Sequence, residues 1–310
     1  MPLFANQPAT VADLNPKTEL RFTTALFQQH LLKEGKSQHT VNAFTSDMQL
    51  LAEYSGAETP IGDFTTNSLN EYLEWMEHER GVSCSRKTYA RRVTTLKVYF
   101  KWLQQVNALS HDPAKAVLQR SGPAPLGNAL DHEQISACLL AARGMHKGDQ
   151  LDTRPEMLFR LILDTGIKKS EAMLLTPASV DRSNAQHPSL LVKYKVRNIF
   201  KDRRIALDPD WLHTFDAYLA QYAPGDTIFN CTSRNLEYIL SDVGDAAGLP
   251  FKLSFESLRW SSAVRDIRAG HEEDVVRDKL GLSPISWHET RSKIHRFIEL
   301  QVKPDRILKL

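Results

Sequence analysis

The sequence predicts a mainly α, α+β fold: an N-terminal helical bundle followed by a mostly helical second domain that carries a small antiparallel sheet. Three observations predict it. Apolar residues recur at helical spacing, as in Val41, Phe44, Met48 and Leu51, and again in Tyr89, Val93, Leu96, Phe100 and Leu103. Only two runs, 189–194 and 200–206, read as strands. Between the two helical regions lies Ser121-Gly122-Pro123-Ala124-Pro125-Leu126-Gly127-Asn128, rich in Pro and Gly and without charge, which reads as an extended linker.

The first region resolves into helices at about 18–33, 38–55, 67–80 and 85–106. Leu69, Tyr72, Leu73 and Met76 form the stripe of the third, with Asn67 or Ser68 as cap and Gly81 as stop. A further short helix is expected after Asp112-Pro113. Short connections between antiparallel helices imply a bundle. In the second region, Asp131 and Gln134 open a helix with a capping-box pattern, and a helix from Pro155 should end near Gly166. The two strands, about five residues apart, predict a hairpin. Helical patterns return at about 209–221, 233–246, 256–268, 272–280 and 285–301. The expected organisation is an arm over 1–17, a helical domain over 18–120, a linker over 121–130 and a second domain over 131–310.

The 310 residues are 25% charged and 42% hydrophobic, which excludes global disorder. No apolar run approaches the ~18–20 residues that span a bilayer. The start, Met1 to Gln7, lacks a basic stretch followed by an apolar one, so no signal peptide is expected. Cys84, Cys138 and Cys231 fit neither a zinc site nor a disulfide framework. No metal, cofactor, membrane or small-molecule substrate is expected, and the cytoplasm is the expected compartment.

A net charge of +2 does not by itself indicate nucleic acid. Its distribution is more informative. From Arg80 to His111 there are seven basic residues and no acidic one, whereas Glu71 to Glu79 holds four acidic residues. Lys87 and Arg91, and Lys97 and Lys101, are i, i+4 pairs that share a helix surface. Such a helix can neutralise phosphates along a duplex.

The segments around these residues carry a resemblance. Ser37-Gln38-His39-Thr40-Val41-Asn42-Ala43-Phe44 opens one helix. Ser85-Arg86-Lys87-Thr88-Tyr89-Ala90-Arg91-Arg92 opens another, followed by Asp112-Pro113. Together they resemble the core-binding domain of the tyrosine recombinases, the phage integrase family. Asp164-Thr165-Gly166-Ile167-Lys168-Lys169-Ser170-Glu171 is similar to the family's first arginine box. Phe200-Lys201-Asp202-Arg203-Arg204-Ile205 is similar to its lysine hairpin. Glu256-Ser257-Leu258-Arg259-Trp260 and Leu280-Gly281-Leu282 are similar to its H-x-L-R-H and L-G-H boxes. The order and spacing hold from about 19 to 296.

The resemblance implies a clamp on double-stranded DNA and covalent catalysis, in which a tyrosine hydroxyl attacks a phosphodiester while preorganised cations hold the developing charge. It also implies departures. The first arginine position is Lys168, the first histidine Glu256, the second histidine Trp260, the L-G-H histidine Leu282 and the nucleophile Arg291; Arg259 retains the second arginine. The hairpin lysine position falls on Asn198, or on Lys195 if the turn differs. Lysine keeps charge at 168 but loses the planar fork. Independently of any register, no tyrosine lies beyond Tyr238, which reads as a core residue. Ser286, Ser292, His288 and His295 have no evident activating partner, and Trp260 and Trp287 read as core.

The expected function is therefore a DNA-binding protein of this fold that does not cleave. It would act as an accessory, regulatory or architectural factor in recombination or integration, as a homo-oligomer on DNA or with an active recombinase. The alternatives are an active recombinase with a displaced nucleophile and a protein-interaction scaffold. Expected DNA contacts are Thr40, Arg86, Lys87, Arg91, Arg92, Lys97, Lys168, Lys169, Lys201, Arg203, Arg259 and Arg291, with Arg197 and Arg204 on the same face. For Arg259 and Lys168 the competing reading is an internal ion pair with Glu256 or Glu171. The apolar stripe Ile294, Phe297, Ile298 and Val302, with Ile307, Leu308 and Leu310, is expected to dock either on a neighbouring subunit or on its own domain.

Overall fold

The computed structural model of the protein describes residues 8, 10–119, 126–196 and 199–302. The chain divides into two compact units between residues 125 and 126.

The first unit is built on four helices, α1 (Leu20–Lys33), α2 (Gln38–Ser55), α3 (Thr66–Glu74) and α4 (Arg86–Gln105). Serines cap two of them. Ser37 accepts from the Thr40 amide and Ser85 from the Thr88 amide, satisfying amides that the first turn leaves free. Thr65 and Ser68 form a reciprocal capping box at α3. The third helix ends earlier than its apolar stripe suggests. Its last turn, Trp75–Glu79, widens, with the Arg80 amide donating to Trp75 O at 2.9 Å, five residues back. The helices close on a core that includes Phe27, Met48, Leu73, Val93, Phe100 and Leu103. Leu14 is buried in that core, after a 3-10 turn at Val11–Asp13. The short helix expected after Pro113 is absent among the described residues of that stretch, 113–119. Residues 113–116 form turns, and the Asp112 carboxylate accepts from the Ala114 amide at 2.8 Å, so the aspartate satisfies locally what a helix would have used.

The second unit begins with α5 (His132–Arg143), capped by the expected Asp131–Gln134 box. A two-stranded hairpin, β1 (His146–Lys147) with β2 (Gln150–Leu151), was not legible in the sequence. Then come α6 (Thr153–Thr165), the single turn α7 (Lys169–Ala172) and a three-stranded antiparallel sheet in the order β3 (Val180–Asp181), β4 (Ser189–Val196), β5 (Ile199–Ala206). The hairpin is longer than expected. Val196 pairs with Ile199, so only 197 and 198 separate the strands, and these two lie outside the described residues. Five helices complete the unit: α8 (Trp211–Tyr222), α9 (Ser233–Ala246), α10 (Phe255–Arg268), α11 (Glu273–Lys279) and α12 (Pro284–Val302).

The central element is α6. Met157, Leu158, Phe159, Leu161, Ile162 and Leu163 are all buried, because α5, α8, α9 and α10 pack around it. A satellite core joins α10, α11 and α12 through Val264, Val276, Leu280, Trp287, Ile294 and Phe297. The α12 stripe thus docks on its own unit for Ile294, Phe297 and Ile298, while Val302 is exposed. Residues 307, 308 and 310 lie outside the described residues.

Candidate nucleic-acid interface

On α4 the apolar stripe is spent on the core, leaving Arg86, Lys87 and Lys101 exposed and Lys97 half-buried. Thr40, half-buried at the start of α2, shares its hydroxyl with Ser37 at 3.0 Å. Arg91 and Arg92 are engaged elsewhere. Asp47, buried on α2, accepts from Arg91 Nη1 at 2.6 Å and from Thr95 Oγ1 at 2.7 Å, and Arg92 Nε stands 3.5 Å from its other oxygen. Burial pushes the Asp47 carboxyl above its ordinary value, against the pull of these partners.

In the second unit the boxes similar to the family's motifs converge on one place. α6 ends at Gly166, whose left-handed backbone (φ 60°) turns the chain so that Ile167 is buried and Lys168 is half-buried. Glu171, 4% exposed, accepts both terminal nitrogens of Arg203 from β5, at 3.0 and 2.8 Å. Arg203 Nε donates to Lys279 O at 2.9 Å, and its guanidinium stands 5.1 Å from the centre of the Tyr194 ring. Gly281 lets it in: a Cβ there would lie 2.7 Å from Arg203 Nη1. The guanidinium bonds and the Lys168 backbone amide outweigh desolvation and hold the Glu171 carboxyl below its ordinary value.

Arg259 projects from α10 into the same region. It donates to Gly166 O through Nη1 and to Leu280 O at 3.3 Å through Nη2. Burial lowers its pKa to about 10, with the neighbouring Arg203 acting in the same direction. Its hydrogen-bond partners are backbone carbonyls that join the ends of α6 and α11, and among the described residues it forms no ion pair with Glu256 or Glu171. Lys168 makes no side-chain hydrogen bond among the described residues. Burial lowers its pKa, Glu171 opposes that, and Arg259 and Arg203 reinforce it.

The remaining positions are peripheral to this cluster. Glu256 is exposed in the first turn of α10, where the helix dipole favours an anion. Trp260 packs near Phe297, their rings 6.4 Å apart, and Leu282 joins the same satellite core. Trp287 is buried there. Arg291 is exposed and ion-paired to Glu273 at 2.8 Å, and His295 reaches the same carboxylate at 3.0 Å. Lys169 is paired with Glu237 at 2.5 Å and Arg204 with Asp181 at 2.8 Å; Lys201 is exposed. Ser292 donates to His288 O and Ser286 accepts from Ser283. Residues 197 and 198 lie outside the described residues, as does the side chain of Lys195.

Tyr238 is not a core residue. It is 50% exposed on α9, and its hydroxyl accepts from Arg234 Nε at 2.9 Å. The buried stripe of α9 is Leu236, Leu240 and Val243, which places 238 on the opposite side. The Glu171–Arg203 pair was also missed as a pair. Its signal was a buried-type position at 171 that faces a basic residue on the inward side of a strand.

Residues 25–107 match the family model described as "Phage integrase, N-terminal SAM-like domain". The tyrosine recombinase XerC of Mycobacterium sp. (strain KMS) is 26% identical over 270 residues, covering 84% of this chain and 90% of the relative. The XerC of Lacticaseibacillus casei (strain BL23) is 24% identical over 280 residues, covering 84% and 90%. Among solved structures, XerH site-specific recombinase bound to palindromic difH substrate aligns with a TM-score of 0.71 at 18% identity, covering 96% of this chain and 92% of that one. A lambda integrase dimer bound to a COC' core site aligns with a TM-score of 0.71 at 15% identity, covering 90% and 79%. The first unit thus matches a phage integrase N-terminal domain, and along most of its length the chain is similar to tyrosine recombinases of the phage integrase family and shares their fold.

Proposed function

We propose that this protein binds double-stranded DNA in site-specific recombination or integration and does not itself cut the strand. The observation that carries the reading is the tyrosine inventory: none of the eight tyrosines follows Tyr238, and the position in register with the family's nucleophile is Arg291. A guanidinium cannot form the phosphotyrosine link that conserves the bond energy. The cluster of Glu171, Arg203 and Arg259 supports the same reading. Arg259 is given to two carbonyls and Arg203 to Glu171, so the planar forks that would hold a developing phosphorane are already occupied. What remains suits binding: an α4 face carrying Arg86, Lys87, Lys97 and Lys101, and the cations Lys168 and Lys201 in the second unit. The curated relatives are named tyrosine recombinases and the solved neighbours are recombinases on DNA, which supports duplex DNA as the partner. The protein would act as an accessory, regulatory or architectural subunit on DNA, as an oligomer or beside an active recombinase, in the nucleoid of the cytoplasm. Among the described residues no helix is long and apolar enough to cross a membrane.

One observation favours a second reading, an active recombinase with a displaced nucleophile. Tyr238 is exposed, and its hydroxyl is held by Arg234. A single experiment separates the two. The protein is incubated with duplexes carrying nicked, suicide-type sites and resolved on native and denaturing gels. A native shift without a covalent band is the expected result. A covalent band lost in Tyr238→Phe would establish the second reading and overturn the first.

A further inference from the structure

Asp47 is 2% exposed, and it holds two of the cations of the helix on which the proposed DNA contact depends. Arg91 is fixed twice, to the carboxylate at 2.6 Å and to Ala43 O of α2 at 3.0 Å. Arg92 is 11% exposed. Asp47 Oδ1 and Arg92 Nε are both buried and face one another without a hydrogen bond, so charge rather than full hydrogen-bond satisfaction keeps that pair together. Packing α2 on α4 does not require an anion, because an apolar side chain there would avoid the desolvation that this carboxylate suffers. The carboxylate instead does something an apolar residue cannot: it neutralises part of the charge on α4 from inside.

We propose that Asp47 is a built-in counter-anion that sets how many DNA phosphates α4 neutralises, keeping Arg91 and Arg92 from the backbone and leaving the contact to Arg86, Lys87, Lys97 and Lys101. This rests on the reading that α4 meets DNA. Arg91 is the cation it regulates, since its side chain is 36% exposed and within reach of solvent, whereas Arg92 is enclosed. Fewer phosphate contacts weaken sequence-independent binding and make it less steeply salt-dependent, which favours the cognate site over the excess of other DNA.

The test is a salt titration of the full chain on random-sequence duplex DNA. Asp47→Asn is expected to steepen the slope of log affinity against log salt by about 1, the contribution of one added phosphate contact. Adding Arg91→Ala to that variant is expected to bring the slope back toward wild type. Thr95→Val removes a hydrogen bond to Asp47 but no charge, so it is expected to lower stability and leave the slope alone. A folded Asp47→Asn protein with the wild-type slope overturns the proposal. Should that variant not fold, arginine-specific chemical modification of the wild-type protein decides. DNA is expected to protect Arg86 and not Arg91, and protection of Arg91 overturns the proposal. A wild-type protein with no salt-dependent DNA binding would overturn the underlying DNA-binding reading, a result distinct from an unchanged slope.

Discussion

Arg203 and Glu171 face each other fork to fork, with side chains only 9% and 4% exposed, so each oxygen of the carboxylate is matched by one guanidinium nitrogen. Removing one partner strands the other charge in a dry site. Glu171→Ala is expected to destabilise the second unit by about 3–5 kcal/mol, read by urea denaturation.

The same pair gives the second unit an acid-sensitive term. The Glu171 carboxyl titrates below its ordinary 4.5 in the folded protein, so its stabilisation is complete above pH 4.5 and is lost as pH falls through the lowered folded value. Asp47 has the opposite sign. Its carboxyl is raised above 3.8, so its contribution is complete below that pH and is lost as pH rises through the raised folded value. Calorimetry from neutral pH downward should show Glu171→Gln flattening the acid loss, and Asp47→Asn removing a term that favours low pH.

Gly281 and Gly166 are places where a methyl group cannot be accommodated. Both have positive φ, 62° and 60°; a Cβ would lie 2.7 Å from Arg203 Nη1 at the first and 2.7 Å from Leu280 Cδ2 at the second. Each Gly→Ala change is expected to cost more than about 1 kcal/mol, by strain and by contact together, measured as a lowered Tm.

Placing a tyrosine at 291 should not by itself produce cutting. Arg291 is exposed, so Arg291→Tyr should leave stability within about 0.5 kcal/mol. Lys168, Glu256, Trp260 and Leu282 still lack the groups that would stabilise the transition state. The expected outcome is no covalent band on nicked duplexes; a robust band would show that the remaining residues suffice for catalysis.

The exposed cations at the start of α4 should set much of the salt response. Arg86→Ala with Lys87→Ala is expected to reduce the slope of log affinity against log salt by about 2, without a change in Tm beyond about 0.5 kcal/mol of stability.

The long helices of both units were legible because their apolar stripes are bounded by caps and stops, whereas the single turn α7 was not, and the helix expected after Pro113 is absent among the described residues. For 38–55 and 233–246 the expected limits are those observed. Elements held by tertiary contacts were not legible. Trp75–Glu79 continues the α3 stripe while its hydrogen bonds shift to the wider spacing. β1 and β2 are two residues each, too short for any period. At the candidate site, charge and position along the chain were readable, but partners were not. Nothing in the local sequence ties Arg91 to an aspartate 44 residues away, or Arg259 to two carbonyls on other elements. Tyr238 looked apolar by its neighbours, yet the stripe through Leu236 and Leu240 leaves it outside.

The β1–β2 hairpin offers a practical handle. Its base is pinned, with Lys147 Nζ 4.7 Å from the centre of the Tyr222 ring and Gln221 donating to Leu151 O at 2.7 Å. Its tip is exposed, and Gly148 has no neighbour within reach of a Cβ. A fluorophore or peptide tag spliced between Gly148 and Asp149 would therefore be carried on an anchored stem, at an exposed tip of the second unit. Such a tag would let single-molecule tracking follow the protein on DNA.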